Sequence, residues 1–247
     1  MVSRGTILTG VSSGLGEALF DELNAAGDRI LAIGRRFTGP QLAAADREPH
    51  RIRLHTSDLA DLSTLPDSRE LASFAGEVET VAMIHNAAVI GPFDAIGALP
   101  AGEIDAAVTV NLVAPMVLTN ALLAGGLRGD RGGEPGGEGS RRVSVLFISS
   151  SAAHRVSGGR SVYSATKRGG EAFFEALAAQ YAGDDRVYVA VVDPGIMDTP
   201  MQATIRRVAR SDAYFPDRDR FLTRHQRGEL PRPAEVARRI IRTHLGR

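Results

Sequence analysis

Lys167 is the only lysine in a chain of 247 residues; the other 28 of its 29 basic side chains are arginine. Wherever a positive charge merely meets water, this sequence uses the planar guanidinium fork. The one compact ammonium marks a place where the fork does not fit. It stands four residues after Tyr163, in Tyr163-Ser164-Ala165-Thr166-Lys167. On a helix that spacing sets both side chains on one face. A free phenol has a pKa of about 10, and a neighbouring ammonium lowers it by favouring the phenolate. The pair is therefore suited to moving a proton near neutral pH. Upstream, Ser150 in Ser149-Ser150-Ser151 offers a hydroxyl that could fix a carbonyl oxygen beside the phenol. Its other reading is an ordinary serine run of the kind found where strands end.

A second group of residues points to a nucleotide. Thr9-Gly10-Val11-Ser12-Ser13-Gly14-Leu15-Gly16 follows a short β-branched run and precedes leucines at positions 15, 19 and 23. Glycines between a strand and a helix allow a tight turn and close approach of backbone N–H groups to a pyrophosphate, at the helix end that favours negative charge. The next strand ends Ile33-Gly34-Arg35-Arg36. An acid at that point would bond the ribose 2′-OH of NAD, whereas arginine accommodates a 2′-phosphate. No acid is present and two arginines are, which predicts NADPH.

The elements that must position these groups are legible in the hydrophobic pattern. Short apolar runs at 6–9, 29–33, 51–54, 81–85, 143–148 and 187–192 alternate with helical patterns near 15–26, 61–75, 102–124 and 161–182. A further helix-like stretch covers 234–244. Alternating strands and helices predict βαβ units with right-handed crossovers. The expected fold is α/β, one Rossmann-type domain over 1–247. Its doubly wound, mainly parallel sheet has the order 3-2-1-4-5-6 and helices on both faces. Residues 125–139, with Gly at eight of fifteen positions, read as a flexible surface loop.

Composition narrows the function class. With 43% hydrophobic and only 5% aromatic residues and no Trp, the core should be aliphatic. The absence of cysteine removes disulfides, thiolate metal sites and Cys nucleophiles, and fits a reducing cytoplasm. The six histidines show no metal-ligand spacing, so no metal is expected. No leader pattern opens the chain and no apolar run approaches a membrane span, so neither export nor membrane insertion is expected. The net charge is zero, which argues against nucleic acid as a partner. Residues 206–247 carry 12 Arg against five acids, most simply read as solvated helix faces.

Several further segments carry a family resemblance. Asp58-Leu59 follows the third strand, Asn86-Ala87-Ala88 the fourth, and Asn111 lies in Val110-Asn111-Leu112-Val113-Ala114. Ser150 precedes Tyr163 by thirteen residues, and Asp193-Pro194-Gly195-Ile196-Met197-Asp198-Thr199 follows the sixth strand. Together with the glycine segment these resemble, in order and interval, the short-chain dehydrogenase/reductase family over nearly the whole chain. The resemblance implies Ser150, Tyr163 and Lys167 as catalytic residues, with Asn111 holding a water that resupplies protons. It implies cofactor contacts from Gly10, Ser12, Ser13, Gly14, Leu15, Gly16, Arg35, Arg36, Asp58, Leu59, Asn86 and Ala87. Tyr163 and Lys167 would touch the nicotinamide ribose, and Pro194, Gly195, Ile196 and Thr199 would hold the nicotinamide. A homo-oligomer, dimer or tetramer, is also expected.

The segment from Pro194 to Gln202, with Ile205-Arg206, is similar to the sepiapterin reductase and bacterial benzil reductase branch. That implies a small-molecule ketone or vicinal dicarbonyl as substrate, with Met197 and Met201 either over the nicotinamide or in a helix core. His85 and Ala88 depart from the family's Asn-Asn-Ala-Gly, Ser13 replaces a basic residue, and no closing strand or acid-bearing tail follows the last helix. The reading is an NADPH-dependent carbonyl reductase. Its alternatives are an NADP-binding sensor without turnover and an NAD-dependent alcohol dehydrogenase.

Overall fold

A computed structural model describes residues 4–126, 141–155, 158–208 and 218–246. Six parallel strands form one sheet: β1 (Arg4–Thr9), β2 (Arg29–Gly34), β3 (Ile52–Thr56), β4 (Thr80–His85), β5 (Arg142–Ile148) and β6 (Val187–Val192). Their order is β3-β2-β1-β4-β5-β6, as the alternating pattern predicts. The chain reverses direction across the sheet between β1 and β4, which opens a crevice beyond the strands' carboxyl ends.

Both faces are covered. On one, α1 (Gly14–Ala25) sets Leu15, Leu19 and Leu23 beside Val236, Ala237, Ile240 and Ile241 of α9 (Pro233–Leu245). On the other lie α3 (Ser68–Gly76), α5 (Ala114–Gly126) and α6 (Ser161–Gln180), with Phe74, Leu118, Leu122 and Phe174 in a common core. The remaining helices are α2 (Gly39–Arg47), α4 (Ala101–Val108), α7 (Pro200–Arg207) and α8 (Arg218–Gln226). No seventh strand is found among the described residues.

The sequence pattern was too coarse in four places. Helix α2 was not expected, although its signal was present: Thr38 and Gln41 form a reciprocal capping box with proline in the first turn. The expected helix over 61–75 is split, because Pro66 cannot continue a helical ladder and Asp67 caps a new start at Arg69 and Glu70. The helix from Ala101 to Gly126 contains a π-helical turn at Thr109–Val113, where the Ala114 N–H bonds Thr109 five residues back. Pro115 supplies the cause. Its missing N–H and its ring's clash with the carbonyl of Asn111 are relieved by widening the coil. Finally, Gly125 is not loop. It ends α5 where a Cβ would lie 2.8 Å from the Ala72 methyl on α3, so the glycine permits the helices to touch. Gly126 belongs to α5 as well, and residues 127–139 of the expected glycine-rich loop lie outside the described residues.

One expectation fails on composition. Residues 106–123 carry no charge, and Ala101–Gly125 is by length and apolarity long enough to cross a membrane. In this fold Ala107, Ala114, Leu118 and Leu122 of that stretch are buried against the sheet and its neighbouring helices.

Helix α6 packs unusually close to β5, because Gly170 lies against the Phe147 ring. A Cβ there would stand 2.3 Å from the ring carbon Cζ. Gly170→Ala is expected to lower stability by about 1–3 kcal/mol, read as a reduced midpoint in urea with unchanged m-value. An unchanged midpoint would mean that α6 has freedom to move off the sheet.

Candidate active site

The crevice is a cleft of about 470 Å³ running from the glycine turn to α6. Its first wall is built by backbone. Gly10 (φ 73°) turns so tightly that a Cβ would lie 2.7 Å from the Ala87 Cα, a conformation and space open only to glycine. Thr9 Oγ1 accepts from the N–H groups of Asn86 and Ala87, both at 3.1 Å. Asn86 Nδ2 donates back to the carbonyls of Thr9 (3.2 Å) and Gly10 (3.0 Å). The ends of β1 and β4 are thus laced together under the turn.

Ser12, Ser13, Gly14 and Leu15 line the cleft where α1 begins. Ser13 is the N-cap residue but its side chain makes no capping bond, so the first-turn N–H groups have no side-chain cap. Free N–H groups at a helix start are chemically able to receive a phosphate. Across the cleft a Cβ on Gly14 would meet the Thr199 methyl at 3.1 Å, so the missing side chain keeps the passage open. Gly16 does not line the cleft. It sits beneath the turn, where a Cβ would be 2.0 Å from the Gly10 carbonyl oxygen, so it packs the helix against the turn and touches no ligand space.

Farther along, Arg35, Arg36, Asp58 and Leu59 line the cleft at the ends of β2 and β3. Arg35 and Asp58 are both exposed, and Arg35 Nη1 is 3.8 Å from Asp58 Oδ2.

Ser150, Tyr163 and Lys167 meet at the other end. Ser150 leaves β5 and caps a short turn, its Oγ accepting from Ala152 N–H at 3.2 Å. Its hydroxyl and the Tyr163 phenol line the same end of the cleft. Lys167, one turn behind Tyr163, is only 2% exposed. Its Nζ donates to the Ile148 carbonyl at 2.7 Å and lies 4.8 Å from the Phe147 ring centroid and 5.8 Å from that of Tyr163.

Burial shapes their charges. Desolvation pulls the Lys167 pKa down to about 8, with Glu171 opposing. Desolvation also raises that of Tyr163, opposed by the nearby Ser150 hydroxyl and the Arg160 guanidinium. The Lys167 charge is not among the influences on the phenol in this arrangement. The ammonium is turned onto the Ile148 carbonyl, and Ser150 and Arg160 exert the lowering influence.

Asn111 is likewise not where a cleft residue would be. It is fully buried in the π-helical turn. Its Oδ1 accepts from Val89 N–H (2.8 Å) and its Nδ2 donates to Val89 O (2.9 Å) and Thr166 Oγ1 (3.1 Å). Both amide protons are used by protein, so the amide holds the Val89 wall and α6 and donates to no relay water.

The third wall is the segment after β6. Pro194, Gly195, Ile196 and Thr199 all line the cleft. Asp193 Oδ1 accepts from Gly195 N–H at 2.9 Å, and Arg239 on α9 donates to the Pro194 carbonyl at 3.0 Å. Thr199 caps α7, accepting from Gln202 N–H at 3.3 Å. Met197 and Met201 line the cleft, while Met197 is also buried in the core between α1 and α9. Met201 joins Ile90, Tyr163, Ile205 and Phe221 in a separate apolar cluster at the cleft's end.

Sequence reasoning missed Arg160 and Phe221. Arg160 is buried at the start of α6 with its guanidinium carbon 5.3 Å from the Phe221 ring centroid. Its position three residues before Tyr163 was the available signal. Phe221 stands on α8, for which no pattern was read.

The family profile described as short chain dehydrogenase matches residues 5–209. The chain belongs to the short-chain dehydrogenase family. A benzil reductase ((S)-benzoin forming) of Bacillus cereus is 30% identical over 241 residues, covering 96% of this chain and 92% of that protein. The same-named protein of Bacillus subtilis is 26% identical over 243 residues, covering 95% and 90%. Among solved structures, the KRED1-Pglu enzyme superposes with a TM-score of 0.80 at 23% identity, covering 98% of this chain and 95% of that one. Actinorhodin polyketide ketoreductase, solved with NADPH, gives 0.73 at 23% identity, covering 96% and 88%. The benzil reductase side of the expected branch is thus borne out. Family membership makes the chain an oxidoreductase that binds a nicotinamide cofactor.

His85, where the family has Asn, is buried beside this site. Its Nε2 pairs with Thr119 Oγ1 at 2.8 Å, and burial, then the nearby Lys167 charge, depresses its pKa to about 3. The unfolded chain takes up this proton near pH 6.5 and the folded chain near 3, so between those values the unfolded state holds more protons. Stability should therefore fall with pH across that window, by up to about 1.4 kcal/mol per pH unit from this group. His85→Asn is expected to flatten the acid limb of a plot of melting temperature against pH. An equally steep limb in the variant would place the acid sensitivity elsewhere.

Proposed function

We propose that this protein reduces a ketone, preferentially a vicinal dicarbonyl bearing an aromatic group, to the alcohol with NADPH. The observation that carries the reading is the convergence of Ser150 and Tyr163 on one end of the cleft, beside an apolar cluster, with the phenol held protonated by burial. A protonated phenol is the form needed to give a proton, which is the reductive direction. Oxidation of an alcohol would start from the phenolate.

The residues fit the cofactor. The uncapped start of α1 and the bare Gly14 backbone suit a pyrophosphate, and Arg35 with Arg36 suits a 2′-phosphate in charge and position. When bound, the dinucleotide supplies the hydride to the carbonyl carbon. Ser150 and Tyr163 would receive the carbonyl oxygen between their hydroxyls, and Tyr163 would give its proton as negative charge develops there. The Lys167 ammonium, one turn behind in a low-dielectric seam, stabilises the phenolate left behind. Asn111 fixes the wall formed by Val89 and the helix turn at Thr166. The cluster of Ile90, Met201, Ile205 and Phe221 offers an aromatic substituent an adaptable apolar seat.

The benzil reductase relatives and the NADPH-bound ketoreductase structure support the same reading. So does the absence of an acid at the end of β2, which disfavours NAD and with it the dehydrogenase alternative.

Tyr163→Phe is expected to lower kcat by about 10³-fold while cofactor binding, followed by fluorescence, persists. Lys167→Arg should fail as well, since the fork cannot occupy the ammonium's seam. Near wild-type turnover in either variant would overturn the assignment. Arg35→Ala should weaken NADPH about 10–100-fold and leave NADH binding unchanged. Equal affinity of the wild type for both cofactors would refute the reading of β2. Substrate class is tested by kcat/KM for benzil-like diketones against matched monoketones, sugars and acyl thioesters. A preference for thioesters, or racemic alcohol from the diketones, would count against a site shaped for dicarbonyls.

A further inference from the structure

Glu171 follows Lys167 by one helical turn and is buried, yet no step above uses it. Its two carboxylate oxygens reach different parts of the chain. Oε1 accepts from Ser149 Oγ at 2.6 Å, and Oε2 lies 2.9 Å from His154 Nε2 and 3.3 Å from Arg168 Nη1. Ser149 immediately precedes Ser150, and His154 closes the short turn that Ser150 opens. A single carboxylate on α6 therefore grips the chain on both sides of Ser150. The helix that carries it also carries Tyr163 and Lys167.

We propose that Glu171 is a positioning residue of this active site: it fixes Ser150 relative to Tyr163 by clamping both ends of the Ser150 turn, and it keeps the Lys167 ammonium charged. The first half rests on geometry. Ser149 is further restrained from the opposite side by its N–H bond to the Val192 carbonyl at 2.8 Å. With both its main chain and its hydroxyl fixed, it leaves the next residue little freedom. The second half follows from charge placement. Among the described residues, the titratable groups that bear on Lys167 are Tyr163 and Glu171 on its own helix and His85 on β4. Tyr163 and His85 are uncharged at neutral pH, which leaves Glu171 as the anion. Glu171 in turn faces the exposed His154 and Arg168, which hold its charge on the outer side of the seam.

The inference rests on reading Ser150 and Lys167 as residues of the reaction, and the sole lysine of the chain provides a test that does not depend on turnover. Biosynthetic labelling with [ε-¹³C]lysine gives a single resonance, whose shift with pH reports Lys167 directly. Glu171→Gln keeps the size of the side chain and its ability to accept from Ser149 but removes the charge. Its Lys167 midpoint should fall by about one pH unit, and the alkaline limb of ketone reduction should move by the same amount. Ser149→Ala should leave that midpoint in place and lower kcat about tenfold with the NADPH dissociation constant unchanged. An unmoved resonance in Glu171→Gln overturns the electrostatic half, and wild-type kcat in Ser149→Ala overturns the clamp. A displaced resonance in a protein whose wild type reduces no ketone supports the charge contact and refutes the reductase reading.

Discussion

An ammonium group taken out of water must be met by oxygen atoms and opposite charge, or it gives up its proton. Lys167 is the place where this chain meets that requirement, and much of the surrounding architecture follows from it. The Ile148 carbonyl is available because it lies at the end of β5, where strand pairing runs out. The ammonium reaches it because α6 lies close over the strand, and α6 lies close because residue 170 has no side chain. The Phe147 ring that fills the gap presents its face to the charge. Displacing any of these would separate the Lys167 ammonium from the Tyr163 ring.

The cofactor side of the cleft obeys a different constraint, the close approach of backbone to backbone. Thr9, Gly10, Gly16, Asn86 and Ala87 interlock through hydrogen bonds and contacts with no room for a Cβ. Such a wall gains its stiffness from main-chain geometry, so it can offer N–H groups to a ligand without moving first. The substrate end is built of side chains from α7, α8 and the segment after β4, which can repack. One end of the cleft is rigid and generic, the other adaptable and particular to this chain.

How much of this was legible in the sequence divides along the same line. Sheet order and the limits of all six strands to within two residues came from hydrophobic alternation, because a buried parallel sheet leaves a strong apolar signature. The glycine turn, Ser150, Tyr163 and Lys167 were legible because their chemistry restricts residue type. Gly16 and Asn111 were recognised as important, but what each braces in the chain was not. Pattern locates a residue on an element, but it does not say whether the residue faces a ligand or braces the chain that does. Arg160 and Phe221 stayed hidden because the apolar end is assembled from distant segments whose spacing carries no fixed rule. Glu171 looked like one more acid on a helix. Only the fold shows that Ser149 and His154 converge on it.

The widened turn at Thr109–Val113 divides the long helix into two phases. Ahead of it, Ala106 faces the cleft; within it, Val110 touches both cleft and core; beyond it, Ala114, Leu118 and Leu122 face the core. An uninterrupted α-helix would lock these two sets to one angular register, so that any adjustment of the cleft face would rotate the core face with it. The extra residue in the turn works like a slipped tooth in a gear train, letting each half keep its own phase. Pro115, by enforcing the slip, allows the wall of the cleft to be revised in sequence without re-cutting the packing of the sheet.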